Sequence, residues 1–229
     1  MAVANSLRAM HGQFRDSMTK GNLFKANIEL LEEEEGFNTR DYERPEAAAH
    51  IRNLADAYKS GEELPPLKVV VKDGRILVRD GHCRLRGAKL AISEGATLAR
   101  LPLVEVSGDE IAQDLVIVKS DDGLKLTPVE RAAVYARLQG YNLTEVEIAE
   151  KVARTVPHVQ QYLAVYSMPL KLKQMISDDK VSMTAALKLY NEKGTEAIEI
   201  LEQKYEAAVA REAEKLEKVA QAEQKKQAK

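Results

Sequence analysis

At 229 residues the chain is long enough for two domains, and 31% charged residues with 5% aromatics and no Trp point to helical structure with lean cores. A formal net charge of −2 excludes nucleic-acid binding through a global positive field and leaves only local basic patches. A single cysteine, Cys83, excludes a disulfide framework or a Cys-rich zinc site, and no apolar run approaches the roughly 20 residues that span a bilayer. The N-terminus has no apolar core of a secretory signal, so a cytoplasmic protein without a membrane partner is expected.

Residues 1–22 carry Arg8, His11, Arg15 and Lys20 against Asp16 and predict a mobile basic arm, either solvated or docking a partner. From about 23 to 107 the pattern is mixed α/β. Residues 50–60 are amphipathic, with Ile51, Leu54, Ala55 and Tyr58 on one side. Leu67–Val71 and Ile76–Val78 are β-rich and joined across Asp73-Gly74, a strong hairpin signal. A helix is predicted from His82 to Ser93 with Gly95 beyond its end, then a strand from Leu98 to Val106. The run Glu32–Glu35 is expected to be a solvated face.

Residues 108–194 are almost wholly helical in pattern. Candidate helices cover 109–118, a segment opened by Thr127-Pro128-Val129-Glu130, then 148–166 in two pieces, 170–176 and 182–192. Residues 195–229 predict one long charged helix, in which Ile198, Leu201, Tyr205 and Ala208 form a seam that Glu212 and Lys215 interrupt. Its first half is a candidate packing or dimer surface.

Within 148–166 the sequence IAEKVARTVPHVQQYLAVY has the form of a helix-turn-helix. Ile148, Ala149 and Val152 make one apolar stripe, a break follows at Ala153-Arg154, and Thr155 can cap a second helix whose first turn holds Pro157. Val159, Leu163 and Tyr166 fall on one face, leaving His158, Gln160 and Gln161 on the other. Gln can bond an adenine edge through two atoms, and His or Thr can reach bases or phosphates. Thr155, His158, Gln160 and Gln161 are therefore candidate base contacts, with Lys151 and Arg154 near phosphates. The alternative is a helical hairpin whose polar side is merely wet.

In Arg79-Asp80-Gly81-His82-Cys83-Arg84-Leu85-Arg86 a glycine leads from a strand into a helix with two arginines in its first turn. Unsatisfied N–H groups, the helix dipole and guanidinium forks suit a phosphate, whereas the dipole alone disfavours arginine there. The alternative is surface arginines paired with Asp80 or Glu105. His11, His50 and His158 show no metal-ligand spacing with one another or with Cys83, so no metal-ligand set is identified. No catalytic triad or P-loop is visible.

The segment DGHCRLRGAKLA resembles the arginine-rich GERRxRAxxLA box of ParB-family partition proteins. The likeness continues at Leu126-Thr-Pro-Val-Glu-Arg-Ala132, similar to the family's LxPxEEA, and at IAEKVARTVPHVQQYLAVYSMP, similar to its IAxxLGKSRxHVxxxLRLLxLP. Leu54-Ala55-Asp56-Ala57 with Leu67-Lys68-Val69-Val70 looks like an earlier family element, and Asn38-Thr39-Arg40 echoes a motif ending in Pro-Arg. The resemblance covers about residues 24–194. It implies an α+β fold: a small mixed-sheet, ParB/sulfiredoxin-like nucleotide-binding domain (23–107), an all-α helix-turn-helix domain (108–194) and a C-terminal helix (195–229).

The resemblance further implies a homodimer on double-stranded DNA, CTP with Mg2+ gating a sliding clamp, possible weak CTPase activity, and a ParA-type ATPase partner reached through residues 1–22. Gly81, His82, Arg84 and Arg86 stand at the positions expected to hold nucleotide. His82 occupies the place of a family Glu and Cys83 that of an Arg, and histidine is a poor magnesium ligand. Lys119-Ser120-Asp121-Asp122-Gly123 replaces an oxygen-rich run; Lys119 would repel the metal, and Asp121 or Asp122 is the expected substitute. Gly-His-Cys-Arg is also similar to sulfiredoxin's Gly-Cys-His-Arg, but with the order reversed, so a redox role is not expected. The functional classes are a segregation factor, a transcriptional regulator with an inactive pocket, and, less favoured, a nuclease.

Overall fold

The structure, a computed structural model, describes residues 4–20, 23–119 and 123–227. Its N-terminal part runs α1 (Leu7–Gln13), β1 (Met18–Lys20), β2 (Phe24–Ala26), a 3-10 turn (Ile28–Leu30), β3 (Leu31–Glu32), α2 (Pro45–Lys59), β4 (Leu67–Lys72), β5 (Arg75–Asp80), α3 (His82–Ser93) and β6 (Leu101–Glu105). The strands form one mixed sheet in the order β1-β2-β6-β4-β5-β3, with β3–β5 and β4–β6 parallel. The predicted hairpin is β4–β5. Asp73 and Gly74 both take positive φ, 52° and 76°, as a two-residue turn matching strand twist requires. Leu67, Val69, Ile76, Val78, Leu101 and Leu103 are buried beneath Ala55, Leu85, Ala88 and Ala91 of α2 and α3.

The helical part runs α4 (Glu110–Lys119), α5 (Pro128–Gly140), α6 (Glu145–Lys151), α7 (Val156–Tyr166), α8 (Leu170–Ser177), α9 (Met183–Lys193) and α10 (Ala197–Gln227). Thr127 and Thr144 each close a capping box, with Glu130 and Glu147 three residues on, which fixes where α5 and α6 begin. Helices α4–α7 bury one apolar cluster and α5 with α7–α10 another. The α+β architecture expected from sequence is the one observed.

Two expectations are corrected. Residues 4–20 are not a free arm: Ala4, Leu7, Met10 and Met18 are buried in the sheet's core. The backbone N–H of Leu7 donates to Glu105 Oε2 at 3.0 Å, and that of Gly74 to the Ala4 carbonyl at 3.1 Å. Charge dominates the sequence reading of this segment, but its apolar residues at helical spacing behind a Ser6 cap are enough to dock it. Second, Glu32–Glu35 is not merely a solvated face: Glu32 ends β3, and Glu32, Glu33 and Glu34 pair with Arg75, Arg86 and Arg79 respectively. Residues 36–41 of the N-terminal part pack against the helical part. Phe37 is buried among Ile117, Val134 and Leu138, and Arg137 donates to the carbonyls of Gly36 and Phe37 at 2.9 and 2.7 Å.

Candidate nucleotide cavity and nucleic-acid interface

The turn between α6 and α7 forms as read. Ala153 takes φ 52°, Thr155 Oγ1 accepts from the His158 N–H at 3.4 Å, and Pro157 sits in the first turn of α7. Ile148, Ala149, Val152 and Val159 are buried against Val134, Tyr135 and Leu138 of α5. Lys151, Arg154, Thr155, Gln160 and Gln161 are exposed. Gln160 Nε2 donates to Glu145 Oε2 at 2.7 Å, which ties it to α6.

His158 is not on that exposed face. Its ring is half-buried, 4.5 Å from the Tyr162 ring centroid, with Nε2 3.3 Å from Tyr135 Oη. Burial, and then the positive charges of Arg154 and Arg131, lower its pKa, so it is an uncharged packing group at neutral pH. Tyr166, expected on the buried stripe, is 49% exposed, and Val165 is buried instead. The reason is that α7 meets α5 on one side and α9 on another, which rotates its inner face away from a single three-four stripe.

The second candidate lies where β5 passes into α3. Gly81 adopts φ 94°, and a Cβ there would stand 2.5 Å from Leu67 Cδ2, so only glycine fits this turn. The turn opens one wall of a cavity of about 380 Å³. His50 and Leu54 of α2, Asn38 and Arg40 of the 36–41 segment, and Gly123-Leu124 before α5 supply the rest. Such a volume suits a small-molecule ligand. Arg40 reaches across to donate to the Leu124 carbonyl and, at 3.3 Å, to that of Lys125, closing one side.

The four predicted residues behave differently. Gly81, His82 and Arg84 line the cavity; Arg86 does not. Arg86 forks onto Glu33 at 3.1 and 2.8 Å and stacks 3.6 Å over the Tyr42 ring. Arg84 donates to the carbonyls of Pro65 and Pro66 at 2.9 and 3.2 Å and lies 3.5 Å from Asp80 Oδ2. Arg84 thus lies beside Asp80, but as a buried residue and not as a surface arginine.

His82 is 4% exposed, roughly parallel to the Phe37 ring at 6.3 Å, and its Nε2 has no hydrogen-bond partner among the described residues. Burial lowers its pKa to about 4, so the imidazole is neutral at pH 7. Burial also raises the Cys83 thiol, the opposite of the shift that a helix N-terminus beside arginines could produce.

Sequence reasoning left out Arg79, His50 and Glu130. Arg79, 3% exposed, donates to Gln113 Oε1 at 2.7 Å and to Glu34, and lies 4.1 Å over Phe37. Glu130 accepts from the Thr127 and Asp41 N–H groups, both at 2.8 Å. The contacts of Arg79 with Gln113 and of Glu130 with Asp41 span 34 and 89 residues, separations that no local motif signals. Magnesium does not fit the donors on view. Asp80 is the one carboxylate lining the cavity among the described residues, and Lys68 and Arg84 hold it. Among the described residues no group of three or more His, Cys, Asp or Glu could hold a metal, and Asp121 and Asp122 lie outside them.

A family model described as the ParB HTH domain matches residues 124–225. A probable chromosome-partitioning protein ParB of Chlamydia trachomatis is 26% identical over 61% of this chain and 50% of that protein. Stage 0 sporulation protein J of Bacillus subtilis is 26% identical over 54% of this chain and 43% of that protein. The chain thus spans about half the length of the curated relatives it matches. Among solved structures, C-terminally truncated ParB from Caulobacter crescentus, complexed to the centromeric parS site, shares the fold with TM-score 0.51 and 18% identity over 84% of this chain and 97% of that one. The helix-turn-helix match over residues 124–225 and the sequence relatives make this chain similar to ParB proteins, and the solved structure shares its fold.

Proposed function

We propose that the chain is a partition-type protein that binds double-stranded DNA through α7, with the α3 cavity as its nucleotide pocket. The observation that carries the DNA reading is the face bearing Thr155 and Gln161, exposed on a buried and capped helix-turn-helix and flanked by Lys151 and Arg154. Rigid scaffolding of an exposed amide is what base readout needs; lysine and arginine supply phosphate contacts. The solved relative bound to parS supports the same docking for this chain.

Nucleotide binding is supported by the cavity's chemistry. Arg40, Arg79 and Arg84 line it, with Asp80 as the one lining carboxylate among the described residues and Glu34 paired to Arg79 behind it, at the N-terminus of a twelve-residue helix. CTP is the nucleotide that the resemblance implies. A ParA-type ATPase would meet the exposed Arg8 and Arg15 of the docked N-terminal segment.

A homodimer follows from the DNA reading, because a single helix-turn-helix gives little specificity and half-sites repeat about one DNA turn (~34 Å) apart. The exposed stretch of α10 fits a second copy. Tyr205, Val209 and Leu216 are exposed at steps of four and seven. Residues 197–210 carry Glu199, Glu202 and Glu206 against Lys204, whereas 211–229 carry six basic residues against four acids. Antiparallel pairing would bring opposite charges together.

The test of the DNA reading is fluorescence anisotropy on a selected cognate duplex. Gln161→Ala should cost about 1–3 kcal/mol there and relax selectivity at one base pair. Equal weakening on every duplex would remove Gln161 from base readout. A transcriptional regulator with an inactive pocket is the second reading, favoured by the diversion of Arg86 to Glu33 and Tyr42. Calorimetry with CTP separates the two.

A further inference from the structure

We infer that the α3 cavity takes a nucleotide's phosphates without a divalent cation, and that His82 Nε2 is one of its ligand contacts. The inference rests on the nucleotide reading above and concerns how this chain's own residues meet that ligand.

His82 is the observation that points to a ligand. A buried polar atom without a partner is costly and rare, and an orphan on a cavity wall is completed by what enters the cavity. His82 stands at the start of α3 with its ring roughly parallel to that of Phe37, and Nε2 is shielded from water. A neutral imidazole can donate from Nε2 to a phosphate oxygen or accept from an amino group there, depending on its tautomer. It is a poor partner for magnesium, which wants near-octahedral oxygen ligands.

The charge balance of the wall points the same way. A divalent cation in a phosphate site neutralises the phosphates and bridges them to protein oxygens. The described wall offers no uncommitted carboxylate for such a bridge, because Asp80 lies 3.2 Å from Lys68 Nζ and 3.5 Å from Arg84. It does offer positive charge directly, as the Arg40 guanidinium with the N-terminal dipole of α3, while Arg84 shares its charge with Asp80 and Arg79 with Glu34. Arg84 is already anchored on two carbonyls and Arg40 on two more, so their forks are ordered before any ligand arrives. Preorganised cations in a half-enclosed site do for phosphate what a bound metal does elsewhere.

The experiment is calorimetric titration of CTP into the whole chain, once in excess Mg2+ and once in excess EDTA. It is repeated for His82→Gln and His82→Glu, with thermal melts confirming that each variant folds. The wild type should bind with dissociation constants equal to within a factor of about three in the two buffers. His82→Gln should bind at least about tenfold more weakly, and His82→Glu should bind more tightly with Mg2+ than with EDTA. Binding by the wild type only in Mg2+ would overturn the inference and leave the nucleotide reading intact. Absence of binding in both buffers, with the protein folded, would overturn both. A His82→Gln variant of unchanged affinity would remove His82 from the contact set.

Discussion

His82 shows what one buried side chain does to the pH dependence of the whole fold. Its pKa falls from 6.5 to about 4 on burial, so between those values the unfolded chain binds a proton that the folded chain refuses. Stability therefore rises with pH across that window and is lost as pH falls below about 6.5, by about 3 kcal/mol in full. Urea midpoints measured at pH 7 and 4.5 should fall less in His82→Gln than in the wild type, the difference between the two curves isolating this group. Glu130 is the other residue whose role exceeds its place in a capping motif. Its two oxygens accept from Thr127 and Asp41, and its backbone carbonyl accepts from Thr39 Oγ1 at 3.0 Å. Glu130→Ala should cost about 3 kcal/mol in equilibrium unfolding, since two charge-assisted bonds go and two N–H groups lose their partners. A loss below about 1 kcal/mol would mean that water replaces the carboxylate at no cost.

At the level of elements, the pairing of α2 with α3 turns on Gly87. A Cβ at that position would lie 2.8 Å from Leu54 Cβ and 3.2 Å from the backbone of Ile51 and Ala55, so the helices approach as closely as they do because glycine is there. Gly87→Ala gains about 1 kcal/mol of helix propensity and loses more to displacement of α2, for a net destabilisation of about 1–3 kcal/mol in thermal unfolding. Since His50 and Leu54 of α2 also line the cavity, the same change should weaken nucleotide binding in the calorimeter. The second helix of the helix-turn-helix shows the converse case. Its ends were legible, because a threonine cap and a first-turn proline act locally, but its buried face was read one contact too narrowly. Packing of α7 on both α5 and α9 decides which of Val165 and Tyr166 is covered.

For the whole molecule the long helix matters most. Ala197 and Leu201 are buried, while the side chains from 203 to 218 are exposed. The seam read from sequence through Ile198, Leu201, Tyr205 and Ala208 is divided: Ile198 and Leu201 serve the core with α8 and α9. The exposed apolar residues beyond them step to Val209 and Leu216. If a second copy covers them, Val209→Asp with Leu216→Asp should raise the dimer dissociation constant at least about tenfold in sedimentation equilibrium, without moving the melt of the remaining fold. An unchanged association state would place the dimer contact elsewhere.

What the sequence determined by itself was whatever short-range physics dictates. Apolar periodicity, threonine caps, the Asp73-Gly74 turn and Gly81 before a helix are decided within a few residues of chain, and the matching elements formed where they were read. Motif likeness extended that to the fold. Only the tertiary structure decided what each charged or aromatic group faces. Arg86 went to Glu33, His158 went inward to Tyr135 and Tyr162, the basic N-terminal segment docked on the sheet, and Phe37 with Arg79 joined the two halves. Those contacts span separations such as 53 residues for Arg86 with Glu33 and 98 for Leu7 with Glu105. Long side chains can reach several partners, and the packed backbone selects among them.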